Sequence, residues 1–429
     1  MNNKRLFIVL VLLCSLAYNI FFPSSSAFAL DDSDVMIKYD VIADKDNAYT
    51  LLNEAGESLY YPDDELWKKI VDGKEWDNNY VKKVLDKNSK VFILYEKALL
   101  IDKIQAPPMT GGLASLLPNV FPWRQLALTL SVKSEYEFRS NQEDKAFGTA
   151  LSIVRFGQKI TLDKGGLVNL MIGLVIQDIG LEKICEFTNK SKLDSIQAKK
   201  YIDRLSNYQN TRQGIINAYK VDYLMYVYEL EQMRHATYGD FVAFIKSMSL
   251  DGRVSGAKIE IKNVPDKADM PMDNYFNIDK TKEFAANYMR ESIKVSLAKY
   301  YSQADRSKLK VMLSYLNEDC KTYKPENYFG RVFNIIMLSN IDASIKEALY
   351  ISSKIDMTKA LIALNVYKQD KCYLPDGLSE LVPVYIDKVP TDYFTGYPIS
   401  IAGIDEVLYF DNEYMSSQQK AEGKVEIKF

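Results

Sequence analysis

The chain has 429 residues, 47% of them hydrophobic, and its 54 basic and 57 acidic side chains leave a formal charge of −3. That length is ample for a large core and for more than one domain or a repeat-like array. The charges are interspersed, and no basic excess exists to hold nucleic acid.

Lys4 and Arg5 precede an apolar run over 6–22, followed by Pro23, three serines and Ala27-Phe28-Ala29. A charged start, an apolar centre and a small-x-small end predict an export leader over 1–29, with the mature chain starting at Leu30. Its removal takes two cations away and the charge to −5. The alternative is an uncleaved anchor. The run is at the short limit for spanning and contains Ser15, Tyr18 and Asn19. Cys14 follows Leu13 where a lipoprotein signal wants a small residue. No later segment is long and apolar enough to span a bilayer. The expected location is periplasmic or extracellular, with membrane contact only through the N-terminal segment if it is retained.

The mature chain reads mostly as helix. Asp44-Lys45-Asp46-Asn47 caps a helix over 47–59, and Pro62-Asp63-Asp64-Glu65-Leu66-Trp67 starts another with acids in its first turn. Val81, Val84, Leu85, Phe92, Tyr95 and Leu99 fall near helical spacing in one stretch over 78–104. Ala106-Pro107-Pro108, Gly111-Gly112 and Pro118 make a loop. Pro122 opens a helix to about 140, Asn141-Gln142-Glu143-Asp144 turns the chain, and 145–160 returns. This pair is similar to a tetratricopeptide hairpin, with Ala146, Ala150 and Gly157 letting its two helices approach. No fixed period follows, so irregular stacked hairpins are expected. Gly165-Gly166 starts the most apolar helix, over 167–187, and helices over 193–208 and 211–234 come next. A long loop is expected over 249–279, then helices over 281–301 and 307–317. After Pro325 a very long helix is expected over 328–367, and beyond Lys371 turns and short strands over 398–401, 406–410 and 424–429. The 30 tyrosines are spread evenly, as expected of rings that pack helix flanks with the hydroxyl in water.

The expected fold is mainly α, with stacked irregular helical hairpins, a long late helix and a small C-terminal Pro-rich α/β head. The body takes 30–324, and the long helix plus head takes 325–429. Proline continues neither a helix nor a sheet ladder, so Pro375, Pro383, Pro390 and Pro398 mark an ordered, irregular clamp. Leu378, Leu381, Val382 and Tyr385 are expected to bury against Leu361, Leu364 and Tyr367.

The C-terminal segment resembles the globular end of type II secretion pseudopilins (protein G-like). The residues that carry the likeness are Tyr373, Pro375, Leu378, Leu381, Pro383, Tyr385, Pro390, Asp392, Gly396 and Pro398. Leu374 separates Tyr373 from Pro375, Cys372 replaces the usual glycine, and the prepilin start is missing. Tyr409-Phe410-Asp411-Asn412-Glu413 stands in place of that family's calcium-holding tail. Asp411 and Glu413 are oxygen ligands for a hard cation in principle, but two carboxylates on one loop are ordinarily solvated, and no metal is expected. The order of elements, from Asn47-Ala48-Tyr49 and Pro62 through Leu66-Trp67 to the late helix, is similar to large exported bacterial proteins of no assigned function. That likeness implies an all-helical body with a small head and brings no catalytic residues.

Among chemical candidates, His235 is the only histidine, and it follows Met233-Arg234 at a helix end, where histidine commonly faces the dipole. One histidine and the scattered Cys185, Cys320 and Cys372 lack zinc spacing and allow at most one disulfide. Gly165-Gly166 lacks the Lys-Ser or Lys-Thr of a phosphate loop. Asp178 and Glu182 stand four apart on one helix face, where repulsion raises a pKa and makes an acid. Gln177, Asp178, Glu182 and Lys183 equally form the polar stripe of an amphipathic helix, with Lys183 compensating. The favoured reading is a non-catalytic envelope scaffold that meets other envelope proteins and needs no cofactor. The alternatives are a carboxylate-dependent hydrolase of envelope material and an accessory of a secretion or pilus-like apparatus.

Overall fold

A computed structural model describes residues 31–109, 120–208, 211–249, 272–321, 326–338, 341–402, 407–409 and 427–428. The leader expected over 1–29, most of the loop expected over 249–279, and Asp411 and Glu413 lie outside them. Helices begin where short polar side chains take the free N–H groups of a first turn. Asn47 accepts from Tyr49 N–H at the head of α1 (Ala48–Glu57), and Asp64 from Trp67 N–H at the head of α2 (Glu65–Val71). Asp77 accepts from Tyr80 N–H for α3 (Asn78–Lys87). The one helix expected over 78–104 ends there, and α4 (Ser89–Leu100) starts afresh. Between them Asn88, fully buried, accepts the Tyr60 N–H at 2.9 Å and donates to the Tyr60 and Val84 carbonyls. A side chain that bonds backbone in this way offers the chain an alternative to the helix ladder.

The hairpin of α5 (Val120–Arg139) and α6 (Glu143–Leu162) forms around Asn141, whose φ is 59°. Two of its small residues also meet a third helix. Gly157 faces α7 (Gly166–Lys190): a Cβ there would lie 2.4 Å from the Gly173 carbonyl oxygen and 2.5 Å from the Gln177 nitrogen. One turn and more along, a Cβ on Gly180 would lie 2.9 Å from the Ala150 carbonyl oxygen. Gly157 and Ala150 therefore bring α6 onto α7 main chain against main chain.

The chain continues through α8 (Ser195–Ser206), opened by an Asp194–Gln197 capping box, α9 (Arg212–Gln232) and α10 (Tyr238–Ser249). The short α11 (Met272–Tyr275) lies inside the expected loop, and α12 (Ile278–Ser296) is capped by Asn277. Then come α13 (Ser307–Lys321), α14 (Tyr328–Leu338) and α15 (Ile341–Lys371). The helix expected over 328–367 is described as α14 and α15, and residues 339–340 between them lie outside the described residues.

Helix α15 is enclosed by α7, α8, α9 and α12, and nearly all its residues from Ile345 to Tyr367 are buried. A helix covered on all sides carries apolar residues all round. Its polar residues find partners: Asn365 donates to the Thr188 carbonyl at 2.8 Å and the Ser191 carbonyl at 3.2 Å, closing the end of α7. One apolar core runs from Val35 to Ile399, across the expected boundary at 324/325. A second joins α1, α4, α5, α6 and α7, and a small third surrounds Trp67.

Several tyrosine hydroxyls depart from the expected wet flank, while Tyr60, Tyr228, Tyr315, Tyr373 and Tyr397 are exposed. Tyr223 donates to Asp32, Tyr201 to Asp144, Tyr301 to Asp342, Tyr367 to Glu380 and Tyr385 to Asp370, at 2.6–3.0 Å, each joining two segments of the chain. Tyr226, fully buried, donates to Asn334 at 2.6 Å. The hydroxyl replaces its lost water with a carboxylate or amide, so the rings brace helices against one another.

At the C-terminal side, Leu378 and Leu381 sit in the main core with Leu361, Leu364 and Tyr367, and Val382 and Tyr385 lie partly buried against it. Pro375 and Pro390 are buried, Pro383 follows a cis peptide, and Thr391 bridges Pro398. The buried Asp392 accepts the N–H groups of Phe394 and Thr395 and the Thr395 hydroxyl. Gly396 has φ +85°, and a Cβ there would lie 2.8 Å from the Tyr300 ring. Tyr301 and Ser302 donate their N–H groups to the Tyr393 and Phe394 carbonyls, fastening this loop to the end of α12. Short strands β1 (Ser400–Ala402), β2 (Val407–Tyr409) and β3 (Ile427–Lys428) pair antiparallel in that order.

Candidate functional site

The carboxylates singled out by spacing, Asp178 and Glu182, both lie on the side of α7 that meets α15. Lys354 of α15 reaches between them, hydrogen-bonded to Asp178 and 3.7 Å from Glu182. Its side chain is 9% exposed, against 30% for Asp178 and 67% for Glu182. Burial alone would lower the Lys354 pKa. The charges of Asp178, Tyr350 and Glu182 and the Asp178 hydrogen bond outweigh it and hold the ammonium above its ordinary range. The two carboxylates thus share one buried cation.

Lys183 does not compensate them. Lys183 turns to Glu186 at 2.6 Å and to the buried Glu135 of α5 at 3.2 Å, and Arg139 holds Glu135 from the other side at 2.7 Å. Gln177 leaves the expected polar stripe as well. It is fully buried in the α6–α7 crossing, donating to the Thr161 hydroxyl at 2.9 Å. One turn beyond Glu182, Cys185 lies 3.4 Å from the Thr358 hydroxyl of α15. Burial pushes its thiol up to about 11, so it is protonated at neutral pH and a poor nucleophile. Cys185 and the exposed Cys372 are both free thiols, and the side chain of Cys320 is outside the described set.

The remaining candidates are placed as follows. His235 is exposed in a 3-10 turn, Met233–His235, that ends α9. Gly165-Gly166 is the start of α7, and its first turn is occupied by the chain's own carboxylate: Asp222 of α9 accepts the Leu167 N–H at 3.0 Å. A Cβ on Gly166, whose φ is +81°, would lie 2.8 Å from that oxygen. The position where a phosphate sits in a nucleotide site is filled. Burial raises the Asp222 carboxyl to about 7, opposed by the Leu167 bond. Asp163, just before this turn, accepts the Ala106 and Lys164 N–H groups and the Asn169 amide. Burial raises it to about 6. Neither acid stood out by spacing, because each is buried by segments distant in the chain. Among the described residues no group of three or more His, Cys, Asp or Glu stands together to hold a metal ion, and no helix is long and apolar enough to cross a membrane.

Asp222 sets a pH dependence with a definite sign. A carboxyl whose folded pKa is raised makes the fold hold the proton more tightly than the unfolded chain. That stability is fully present below about pH 4 and is lost as pH rises to about 7. Asp222→Asn keeps the acceptor for Leu167 N–H without the charge. Its stability relative to the parent is expected to rise by about 1–3 kcal/mol between pH 4 and 7 and then level off, the lower end reflecting the partial exposure of Asp222. Urea unfolding across that range checks it; a constant difference would contradict it.

No protein-family model, no curated protein and no solved structure matches the chain.

Proposed function

We propose that the protein is an exported, non-catalytic envelope protein, a scaffold that presents helical surfaces to other envelope proteins. The observation that carries this is the Lys354 ammonium between Asp178 and Glu182. An acid for hydrolysis must be free to meet a substrate, whereas Asp178 is engaged by a hydrogen bond to the buried Lys354 ammonium. The group braces α7 against α15 at the middle of both helices.

Residues 325–429 complete the scaffold as a helical spine with a Pro-rich head packed over its end, the head being the part that the pseudopilin likeness covers. The Asp392 loop, the left-handed Gly396 and the burial of Leu378 and Leu381 support that reading. Burying such a leucine contributes ~1.5–3 kcal/mol. Leu381→Asp is expected to release 372–399 from α15 while the body stays folded, and limited proteolysis reads it as new cuts between Cys372 and Tyr397. Unchanged resistance there would sink the idea of a head held by its core contacts.

The functional test is crosslinking of the mature protein in its own cell envelope, followed by capture. A discrete set of protein partners is the expected result, and secretion or pilus components among them would favour the apparatus reading. Retained glycan or peptide material with no protein partner would overturn the scaffold reading in favour of a hydrolase.

A further inference from the structure

Three tyrosines meet where α15 gives way to the Pro-rich segment. Tyr373 and Tyr385 pack edge to face with Tyr367, their ring centroids 5.9 and 5.4 Å away and their planes at 85° and 65°. The turn that carries Tyr385 is fixed from below. Leu381 and Ile386 are buried in the main core, and the Tyr385 and Ile386 N–H groups both donate to the Leu381 carbonyl, at 2.8 and 3.2 Å. Tyrosine hydroxyls hold two carboxylates beside these rings. Glu380 accepts from Tyr367 at 2.8 Å and, on its other oxygen, from the Asp376 N–H at 2.7 Å. Asp370 accepts from Tyr385 at 3.0 Å. The Tyr367 hydroxyl and the Asp376 N–H hold the Glu380 carboxyl below the usual carboxylate range, so it is ionised at neutral pH.

All of these donors are neutral. Among the described residues neither Glu380 nor Asp370 has an ion pair, although Lys371 stands one turn from Tyr367. Both acids are exposed, and beside them Tyr373 is 59% and Val384 77% exposed. A carboxylate and the face of an aromatic ring both attract a cation, and an apolar side chain next to them receives the methylene stem of a long basic residue. We propose that Tyr373, Tyr385 and Val384, with Glu380 and Asp370, form a docking surface for a protein segment that presents lysine or arginine. The rings and acids are already held in place, so docking orders the partner more than the head. This deepens the scaffold reading and rests on it.

The test titrates the mature protein into a fluorescent helical peptide of leucine and lysine, and into its leucine–glutamate counterpart, reading anisotropy at physiological salt. The lysine peptide is expected to bind saturably and the glutamate peptide not to bind. Tyr373→Ala is expected to weaken binding about three- to fivefold. Glu380→Gln combined with Asp370→Asn keeps an acceptor for each tyrosine hydroxyl and is expected to weaken it about fivefold. Two controls separate this surface from general attraction. Asp44→Asn combined with Asp46→Asn removes the same charge from the exposed turn before α1. Tyr397→Ala removes an exposed ring from the far end of the head. Its neighbour Tyr393 is bonded to Ser353, fourteen residues before Tyr367 on α15 and about 21 Å away at 1.5 Å per residue. Each control is expected to change binding less than about twofold. Circular dichroism checks that every variant is folded. Equal weakening by the two acid pairs would overturn the proposal, and so would equal binding of the two peptides by the parent. Failure of the lysine peptide to bind, while envelope capture still returns protein partners, would overturn this surface and leave the scaffold reading intact.

Discussion

Gly157→Val is expected to lower the stability of the mature protein by ~3 kcal/mol or more, the upper end of the overpacking range. Its first added carbon would lie 2.4 Å from the Gly173 carbonyl oxygen, 2.5 Å from the Gln177 nitrogen and 2.7 Å from the Gln177 Cγ. Two of those three atoms are main chain, which cannot rotate away as the tip of a side chain can. The helices must separate, and separation also loosens the contact of Gly180 with Ala150 and leaves voids along the seam. The same helix supplies a control. A Cβ on Gly148 meets nothing within 4 Å, so Gly148→Ala is expected to be neutral or to gain up to about 1 kcal/mol from helix propensity. Urea unfolding followed by circular dichroism separates the two. Equal midpoints for both variants would mean that α6 and α7 do not meet main chain to main chain.

The second large effect is expected at Asp32. Its pair with Lys282 is nearly enclosed, with side chains 13% and 4% exposed. Removing one member of a buried pair costs ~3–5 kcal/mol, because the other charge keeps its desolvation penalty. Asp32→Ala also deprives the buried Tyr223 hydroxyl of its acceptor, and a loss of about 3 kcal/mol is expected. Asp34→Ala, two residues on, breaks a pair whose side chains are 57% and 30% exposed. Its cost is expected to stay below about 1 kcal/mol. Thermal unfolding of the two variants side by side makes the comparison, and an Asp32→Ala no worse than Asp34→Ala would contradict the buried-clamp description.

What the chain shows without a structure is the local part of its fold. Asn47 and Asp64 announce helix starts because a cap needs only the residues of one turn, and the Asn141 turn is equally local. The break at Asn88 was hidden because its cause is Tyr60, 28 residues earlier. Gly157 was legible as a close approach but not as an approach to α7, since small residues fit any neighbour. Lys354 was invisible as the partner of Asp178, from which it stands 176 residues away. Lys183, adjacent to Glu182, was the natural choice by spacing, yet it faces α5 and its buried Glu135 instead. The tyrosines misled for a related reason. An even spread along the sequence says nothing about which hydroxyl finds a carboxylate on another segment.

The most direct measurement is a double-mutant cycle on Asp178→Asn and Lys354→Met, read by urea unfolding and, in the same four proteins, by release of soluble fragments from purified cell envelope. If the charged group is a brace between α7 and α15, the two substitutions couple by about 1 kcal/mol or more, and fragment release stays at the level of a buffer control in all four. Additive stabilities, together with fragment release by the parent that Asp178→Asn abolishes, would show a reaction centre where a structural ion pair is proposed.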